Sequence, residues 1–600
     1  MQKKLKILFV ASEADPFIKT GGLADVAGSL PQALREAGHD VRLVIPQYSQ
    51  IPAVYKEKMQ SVCHFRTQLA WRDTYLGVNQ LTESGVPVYF IDNKYYFDRD
   101  SIYENEDRHE QFAFFCQAVL DMLPVLNFKP DIIHLNDWQT GPLPLLLADH
   151  YRQQNFYRDI KTVFTIHNLR YQGQFSGHIA ADVLGVAPEH WASGKIRHNG
   201  LLNYMKTAIM YADQLTTVSE TYAQEIQTAY FGEGLDYALR MRGDDLTGII
   251  NGLSYSKFNP ETDSKIAVPY SAADVTKKLA NKVHLQQKLG LEVDVERPII
   301  GFISRLVEQK GIELIKAVFP QIMESGAQLV VLGTGQPEYE KFFLNQQQYY
   351  PDSLSVTINY NSNLASQIYA GIDLFLMPSR FEPCGLSQLI SFRYGVLPIV
   401  RETGGLNDTV LSYNEATGAG TGFSFSNYNA HDMLHTIERA INFYQDEDLW
   451  HDLVQRVMKL DYSWHNSAQK YLSLYKNLMD SLSAKKSSTV SKKISRFSKN
   501  KTAIKVFKPE PAPLSNKNSL PEKTNLKRTK KKKESGQLVN INLATAAEFA
   551  LLPGIGDFYA ERIVAYRSAS SNGFNKKTDL KKVKGIGKKK YKQISDLITL

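Results

Sequence analysis

The feature that most restricts the fold is a recurring unit: a short uninterrupted apolar run, a turn, then apolar residues at helical spacing. In the first 255 residues the runs are Leu5–Ala11, Val41–Ile45, Ile132–Leu135, Thr162–Ile166, Gln214–Val218 and Gly248–Ile250. Between the first two, Val26, Leu30, Ala33, Leu34 and Ala37 form a stripe at helical spacing, which makes the segment β-α-β. After a polar stretch near residues 255–297 a second series follows: Ile299–Ile303, Leu329–Leu332, Leu354–Ile358, Leu374–Met377 and Pro398–Val400. Strands apolar along their whole length belong to parallel sheets covered by helices on both faces. The expectation is an α/β protein of two Rossmann-like domains, residues 1–255 and 256–480, facing each other across a cleft. Its last helix packs back on the first domain, and ligands sit at the carboxyl ends of the strands.

Charge separates the rest of the chain from this body. The net charge of +8 over 600 residues combines an acidic stretch, 42 basic and 54 acidic side chains in residues 1–480, with a basic tail. Residues 481–535 carry 17 Lys/Arg against 3 Asp/Glu in a Ser-, Lys-, Asn- and Pro-rich composition that cannot bury enough apolar area to offset its ordering entropy, and are read as a basic disordered linker. Residues 536–600 regain periodicity around a near-repeat, Leu552-Pro-Gly-Ile-Gly556 and Val583-Lys-Gly-Ile-Gly587, each followed by a helix-like run, Phe558–Tyr566 and Lys589–Leu597: a small all-α domain. Three dispersed cysteines, Cys63, Cys116 and Cys384, exclude a disulfide framework and a clustered cysteine zinc site, and favour a reducing cytoplasm. The N-terminal Lys-rich start before Ile7 imitates a signal peptide, but Glu13 and Asp15 cut its apolar run short. No run approaches the roughly 20 apolar residues needed to span a bilayer, so no membrane partner is expected.

The chemistry gathers at predicted strand ends. Lys19-Thr-Gly-Gly-Leu-Ala-Asp-Val26 precedes the first helix; Gly21 and Gly22 let the backbone approach a ligand, and Lys19 with the helix start supplies positive potential for a phosphate. In the second series, Arg305 and Lys310 share one strand-end loop and could hold two phosphates of a diphosphate. Thr403-Gly404-Gly405-Leu406 opens another helix and reads as a second anion-ready start. Glu382, in Pro378-Ser-Arg-Phe-Glu-Pro-Cys-Gly-Leu-Ser-Gln388, offers a carboxylate to sugar hydroxyls, while His167, Asp137 and Trp138 stand at neighbouring strand ends of the first series. Taken singly each has a plainer explanation, such as a turn, a solvated charge or a structural histidine.

Taken together, KTGGLADV, NDWQT, TIHNLRYQG, TVSETYAQEI, INGLSYSKFNP, SRLVEQKG, YAGIDLFLMPSRFEPCGLSQL and RETGGLNDTV, in this order over residues 5–480, resemble the bacterial glycogen synthases and related starch synthases. The resemblance implies the two-Rossmann architecture called GT-B and a retaining transfer of glucose from ADP-glucose to the non-reducing end of an α-1,4-glucan such as glycogen. It implies that Lys19, Gly21, Gly22, Arg305, Lys310, Thr403, Gly404 and Gly405 bind the donor diphosphate. Glu382 would contact the donor sugar, His167 would lie beside the glucose and Asp137 near the donor–acceptor junction; Cys384, read as a packed or site-lining thiol, and Gly385 are counted with the nucleotide-sugar residues. Asn203 matches a donor-side position, Tyr360 is counted with the nucleotide-sugar residues, and Tyr369 and Ala370 fall just before the nucleotide-binding loop. Cations and helix starts would stabilise the leaving diphosphate, so no cofactor and no metal is expected. Asp98-Arg-Asp100 imitates a metal-binding DxD but lies in a polar loop away from the phosphate elements. Two departures stand out: Ile390 occupies the place of the second glutamate found in many GT-B enzymes, as is general in the glycogen synthase subgroup, and Asn136 stands where some bacterial members have His, as in plant starch synthases.

Residues 538–600 resemble the ComEA-like tandem helix-hairpin-helix domain of bacterial DNA uptake. That resemblance implies phosphate contacts from Gly554, Gly556, Gly585 and Gly587, with Lys588, Lys589 and Lys590 beside the second hairpin, and sequence-independent binding to DNA. Asp557 and Glu561 follow the first hairpin instead of lysines, and such units also serve protein contacts. Three readings stay open: a glucan synthase with a nucleic-acid-binding appendage, the same enzyme using UDP-glucose or another acceptor, and a DNA-associated protein with an inert transferase body.

Overall fold

The computed structural model describes residues 4–480 and 538–600, apart from 84, 551, 554 and 569–572. The linker expected at 481–535 lies outside the described residues. The described chain falls into two compact units, residues 4–480 and 538–600.

Among the described residues, twelve strands precede residue 250. They are β1 Lys6–Val10, β2 Asp40–Pro46, β3 Gln60–Leu69, β4 Arg72–Glu83, β5 Val86–Asp92, β6 Ile132–Asn136, β7 Lys161–Ile166, β8 Gln174–Phe175, β9 Arg197–His198, β10 Leu201–Asn203, β11 Gln214–Thr217 and β12 Leu246–Gly248. Nine of them form one sheet in the order β12-β11-β7-β6-β1-β2-β5-β4-β3. β1 pairs in parallel with β2 and with β6, so the winding direction of the sheet reverses between β1 and β6, and the loops leaving these two strands border the crevice where a doubly wound sheet takes its ligand. The helix Gly22–Glu36 covers the sheet through Leu23, Val26, Leu30 and Leu34, the spacing that places them on one stripe.

This sheet is not parallel throughout, as the continuous apolar runs predicted. β4 runs antiparallel to both β3 and β5. The reason lies in exposure: much of β3 and the first residues of β4 alternate between more and less exposed positions, so this stretch lacks the unbroken apolar run that marks a strand covered on both faces. The strand expected at Gly248–Ile250 is registered earlier, at Leu246–Gly248, by its pairing with β11.

The second sheet contains β13 Ile299–Ile303, β14 Gln328–Leu332, β15 Leu354–Thr357, β16 Leu374–Met377, β17 Leu397–Arg401 and the short β18 Phe423–Phe425, in the order β15-β14-β13-β16-β17-β18, all parallel. Its reversal lies between β13 and β16. That order delivers the loop with Arg305 and Lys310 and the loop with Glu382 to one crevice. Residues 464–480 are helical, and Trp464, Ala468, Tyr471, Leu474 and Tyr475 join the core of the first sheet; Tyr475 Oη lies 2.6 Å from His134 Nδ1.

The unit at 538–600 is built on Ile541, Phe549, Ile563, Phe574, Leu580, Ile586, Ile594 and Ile598. Helices Asp557–Ser568 and Lys588–Ile594 follow the two hairpins. The unit is not purely helical: Val539–Asn540 and Ile598–Thr599 pair in parallel, so the two ends of the unit close on each other through backbone hydrogen bonds.

Candidate functional site

In the second domain the turn Glu308–Lys310 follows β13, and Lys310 Nζ reaches Glu382 Oε2, from the loop after β16, at 2.5 Å. Ser379 Oγ donates to the same oxygen at 3.0 Å. Arg305 and Lys310 line a cavity of about 190 Å³ together with Ser304, Ser379 and Ser387, at the carboxyl ends of β13 and β16. Glu382 is buried, and its neighbour Cys384 is a buried thiol pushed up to about 12 by burial, which makes it a packed group of low reactivity.

The Thr403-Gly404-Gly405 start differs from the open anion site expected of it. Gly405 N–H donates to the carbonyls of Glu382 and Pro383 at 3.1 and 3.2 Å, and Gly404 N–H donates to Glu225 Oε1 of the first domain at 3.1 Å. These donors are already engaged. The two glycines are required for clearance: a Cβ on Gly404 would stand 2.0 Å from the Glu382 carbonyl oxygen, and one on Gly405 2.0 Å from that of Cys384.

In the first domain Asp137 directly follows β6 in the left-handed region at φ 57°, a conformation a non-glycine residue adopts only where its surroundings impose it. Its Oδ1 accepts the backbone N–H of His167 at 2.8 Å and of Asn168 at 3.4 Å. Burial, with a smaller contribution from Glu13, pushes the carboxyl up to about 7 although those two N–H groups pull it down. His167, at the end of β7, is driven down to about 3 by burial and is neutral. Its Nε2 lies 2.9 Å from Asn136 Oδ1. Glu13, which carries no sequence signal, is buried here, accepts the N–H and hydroxyl of Thr20 at 2.6 and 2.7 Å, and is raised chiefly by burial.

The other expected donor residues fall as follows. Lys19 Nζ is held by Asp25 at 2.6 Å, so its charge is shared within its own turn, and Lys257 Nζ reaches Asp15 at 3.2 Å and Asp25 at 3.6 Å. A Cβ on Gly22 would lie 3.9 Å from Leu386, so this glycine turn faces the loop that carries Glu382 and Gly385 across the cleft. Asn203 is fully buried and its amide is engaged on both sides: it caps the helix Tyr204–Tyr211 by accepting from Lys206 N–H and donates to Gln172 at 2.7 Å. Tyr360 stands 80 % exposed beyond β15. Tyr369 is buried and offers its carbonyl, with that of Ala370, to Lys278. In the imitation DxD, Arg99 is tied to Asp107.

Between the domains the short helices Glu220–Glu225 and Gly404–Thr409 cap one another. Thr221 donates its N–H and hydroxyl to Asp408, at 3.0 and 2.5 Å, while Glu225 accepts from Thr403 Oγ at 2.8 Å and from Gly404 N–H. A second cavity, about 210 Å³, opens between Tyr222, Tyr230 and Phe231 of the first domain and Gln309, Arg380 and Phe381 of the second.

In the small unit Gly585 adopts φ 100°, and Gly556 and Gly587 have open space where a side chain would stand. Lys590 Nζ lies 2.9 Å from the centroid of the Tyr559 ring, and Arg562 donates to the Lys584 carbonyl at 3.2 Å. Gly554 and the side chain of Lys589 lie outside the described residues; Lys588 begins its helix.

Comparison with known proteins agrees with this architecture. Residues 6–241 match the starch synthase catalytic domain family, 286–456 the glycosyl transferases group 1 family and 534–599 the helix-hairpin-helix motif. A glycogen synthase of Anoxybacillus flavithermus is 49% identical over 475 residues, which are 79% of this chain and 98% of that protein; one of Desulforamulus reducens is 50% identical over 475 residues, 79% of this chain and 99% of its own. The solved catalytic domain of starch synthase IV from Arabidopsis thaliana, bound to ADP and acarbose, superposes with a TM-score of 0.73 at 34% identity, covering 80% of this chain and all of that one. Among the described residues no helix is long and apolar enough to cross a membrane.

Proposed function

The chain belongs to the glycogen synthase family, and on that premise we propose that it transfers glucose from ADP-glucose to the non-reducing end of an α-1,4-glucan, with retention at the anomeric carbon. The observation that carries this reading is the Lys310–Glu382 pair at the reversal point of the second sheet, with Arg305 on the same cavity. Breaking the bond between sugar and diphosphate places about one further negative charge on the leaving group and positive charge on the sugar. Arg305 and Lys310 stand where the first can be stabilised. Glu382 holds hydroxyls of the donor sugar, and from the opposite wall the Asp137 carboxyl faces the second charge. Fixed charges of this kind need no reorganisation during the step and are each worth about 3–4 kcal/mol, so the residues themselves supply what a metal would otherwise supply. The cavity walled by Tyr222, Tyr230 and Phe231 suits the apolar faces of an incoming glucan.

With purified protein, glycogen and radiolabelled donor in EDTA, incorporation is expected from ADP-glucose and to be unaffected by the chelator. No incorporation from either ADP-glucose or UDP-glucose would overturn the synthase reading. A preference for UDP-glucose would change the donor, and loss of activity only with EDTA would end the metal-free mechanism. The three cysteines are unpaired thiols, which suits a cytoplasmic setting.

For the tail the reading is a duplex-DNA contact through backbone phosphates. Its support is the run of lysines around the second hairpin, with Lys581, Lys582, Lys584, Lys588, Lys590 and Lys592 within twelve residues. Retention of the full chain on immobilised DNA is expected to fall steeply as salt rises from 50 to 200 mM, on the order of tenfold or more for a few phosphate contacts, and to vanish for a chain ending at Asp480. Equal retention of both chains would remove the appendage from the account.

A further inference from the structure

We propose that Asn136 is a positioning residue that holds the His167 imidazole in a single neutral form, with its proton on Nε2, so that Nδ1 meets the substrate only as a hydrogen-bond acceptor. The inference rests on the cleft being a sugar-transfer site; the assignment of the proton itself rests on geometry alone. A backbone carbonyl can only accept, so the Asn136 group 3.0 Å from the Val10 carbonyl is the amide NH2. That places the amide oxygen 2.9 Å from His167 Nε2. Because an amide oxygen can only accept, Nε2 must carry the hydrogen.

The relay is rigid. Val10 ends β1, Asn136 ends β6 and His167 directly follows β7, three mutually parallel strands side by side in one sheet. Asn136 is fully buried, and the His167 backbone N–H is engaged by Asp137. The titratable groups around the ring are His134, itself buried, neutral and held by Tyr475 and Thr165, then Asp137, and beyond it Glu13 with Lys19 and Asp25. A sugar hydroxyl can donate to the free lone pair on Nδ1. A protonated ring would instead present an N–H and a positive charge beside an anomeric carbon that is itself becoming positive.

Position 136 therefore needs one planar side chain that donates to Val10 and accepts from His167 at once. An amide does this, and so does a neutral imidazole, which accounts for the presence of either Asn or His before the Asp-Trp pair in the resemblance noted above. A carboxylate offers two acceptors and a charge; leucine offers neither role.

Two measurements on the full chain test this. In histidine-selective 15N spectra, with His167→Gln identifying the ring, the signal is expected to show Nε2 protonated and Nδ1 bare down to pH 5. A proton on Nδ1, or titration near pH 6.5, would overturn the assignment whether or not the enzyme uses ADP-glucose. In glucan incorporation, Asn136→Leu is expected to lower kcat by about 10- to 100-fold with the donor KM within about threefold, and Asn136→His to recover most of that loss. Asn136→Asp places a carboxylate against Nε2 and raises the imidazole pKa, so the acid side of its rate profile is expected to move to higher pH than that of the unaltered chain. A His variant no better than the Leu variant, or an Asp variant with the unaltered profile, would equally refute the proposal.

Discussion

Lys310→Ala is expected to lower turnover by about 10²- to 10³-fold, the loss that follows from deleting one preorganised charge at a developing anion. The geometry makes this the most damaging single truncation. The Lys310 ammonium lies 2.5 Å from Glu382 Oε2, and the two side chains are only 17% and 9% exposed. On the proposed function, removing the cation takes away a group that would meet the departing diphosphate, and it leaves a buried carboxylate with the Ser379 hydroxyl still donating to it. Stripping one partner from a buried ion pair typically costs about 3–5 kcal/mol, so the melting temperature falls as well. The double variant Lys310→Met/Glu382→Gln separates the two effects: it removes the uncompensated charge and is expected to recover most of the melting temperature but none of the turnover. Turnover of Lys310→Ala within tenfold of the unaltered enzyme would show that this lysine serves the fold and not the leaving group.

Gly405→Ala is expected to be comparably severe without touching a charge. The added methyl would stand 2.0 Å from the Cys384 carbonyl oxygen and 2.5 Å from Cys384 Cα and carbonyl carbon. All of these are backbone atoms, so no side chain can rotate away. Either the helix start or the loop carrying Glu382 must move, and the hydrogen bond from Gly405 N–H to the Glu382 carbonyl breaks. Overpacking of this kind costs about 1–3 kcal/mol, and a displacement of about 1 Å in a positioned group is worth about 10²-fold in rate. Kinetics and calorimetry together check this, and an alanine variant with normal kcat would mean that the loop tolerates the shift.

What could be read from residues alone was whatever is local. The turns around Gly21, Lys310 and Glu382 stand at the ends of unbroken apolar runs and are punctuated by glycine or proline, so their place at strand ends follows from periodicity. The strands Gln60–Leu69 and Arg72–Glu83 escaped because a sheet margin half open to water alternates and does not run apolar. Glu225, Asp408 and Lys257 fall inside the motifs quoted above and Glu13 just beyond the first apolar run, but nothing in the residues says what each meets; each acquires its role only when a distant segment arrives. Gly404 and Gly405 are the opposite case: two glycines before a helix read as open N–H donors, whereas these donors meet Glu225 and the neighbouring loop, which no local pattern announces. The same reasoning gave no hint that Asn203 caps a helix, because an asparagine before a helical run and an asparagine beside a ligand are written identically.

The crossed caps between Glu220–Glu225 and Gly404–Thr409 have a consequence for how the cleft breathes. Every donor and acceptor in that contact is a group that water satisfies nearly as well, so parting the halves exchanges like for like, at a net of about 0.5–1.5 kcal/mol per bond. A balance that close leaves the equilibrium between gaping and shut forms to be set by whichever guest prefers one of them. On the proposed function, a nucleotide sugar that touched both walls would favour the shut form, and its spent nucleotide would leave as that preference disappeared.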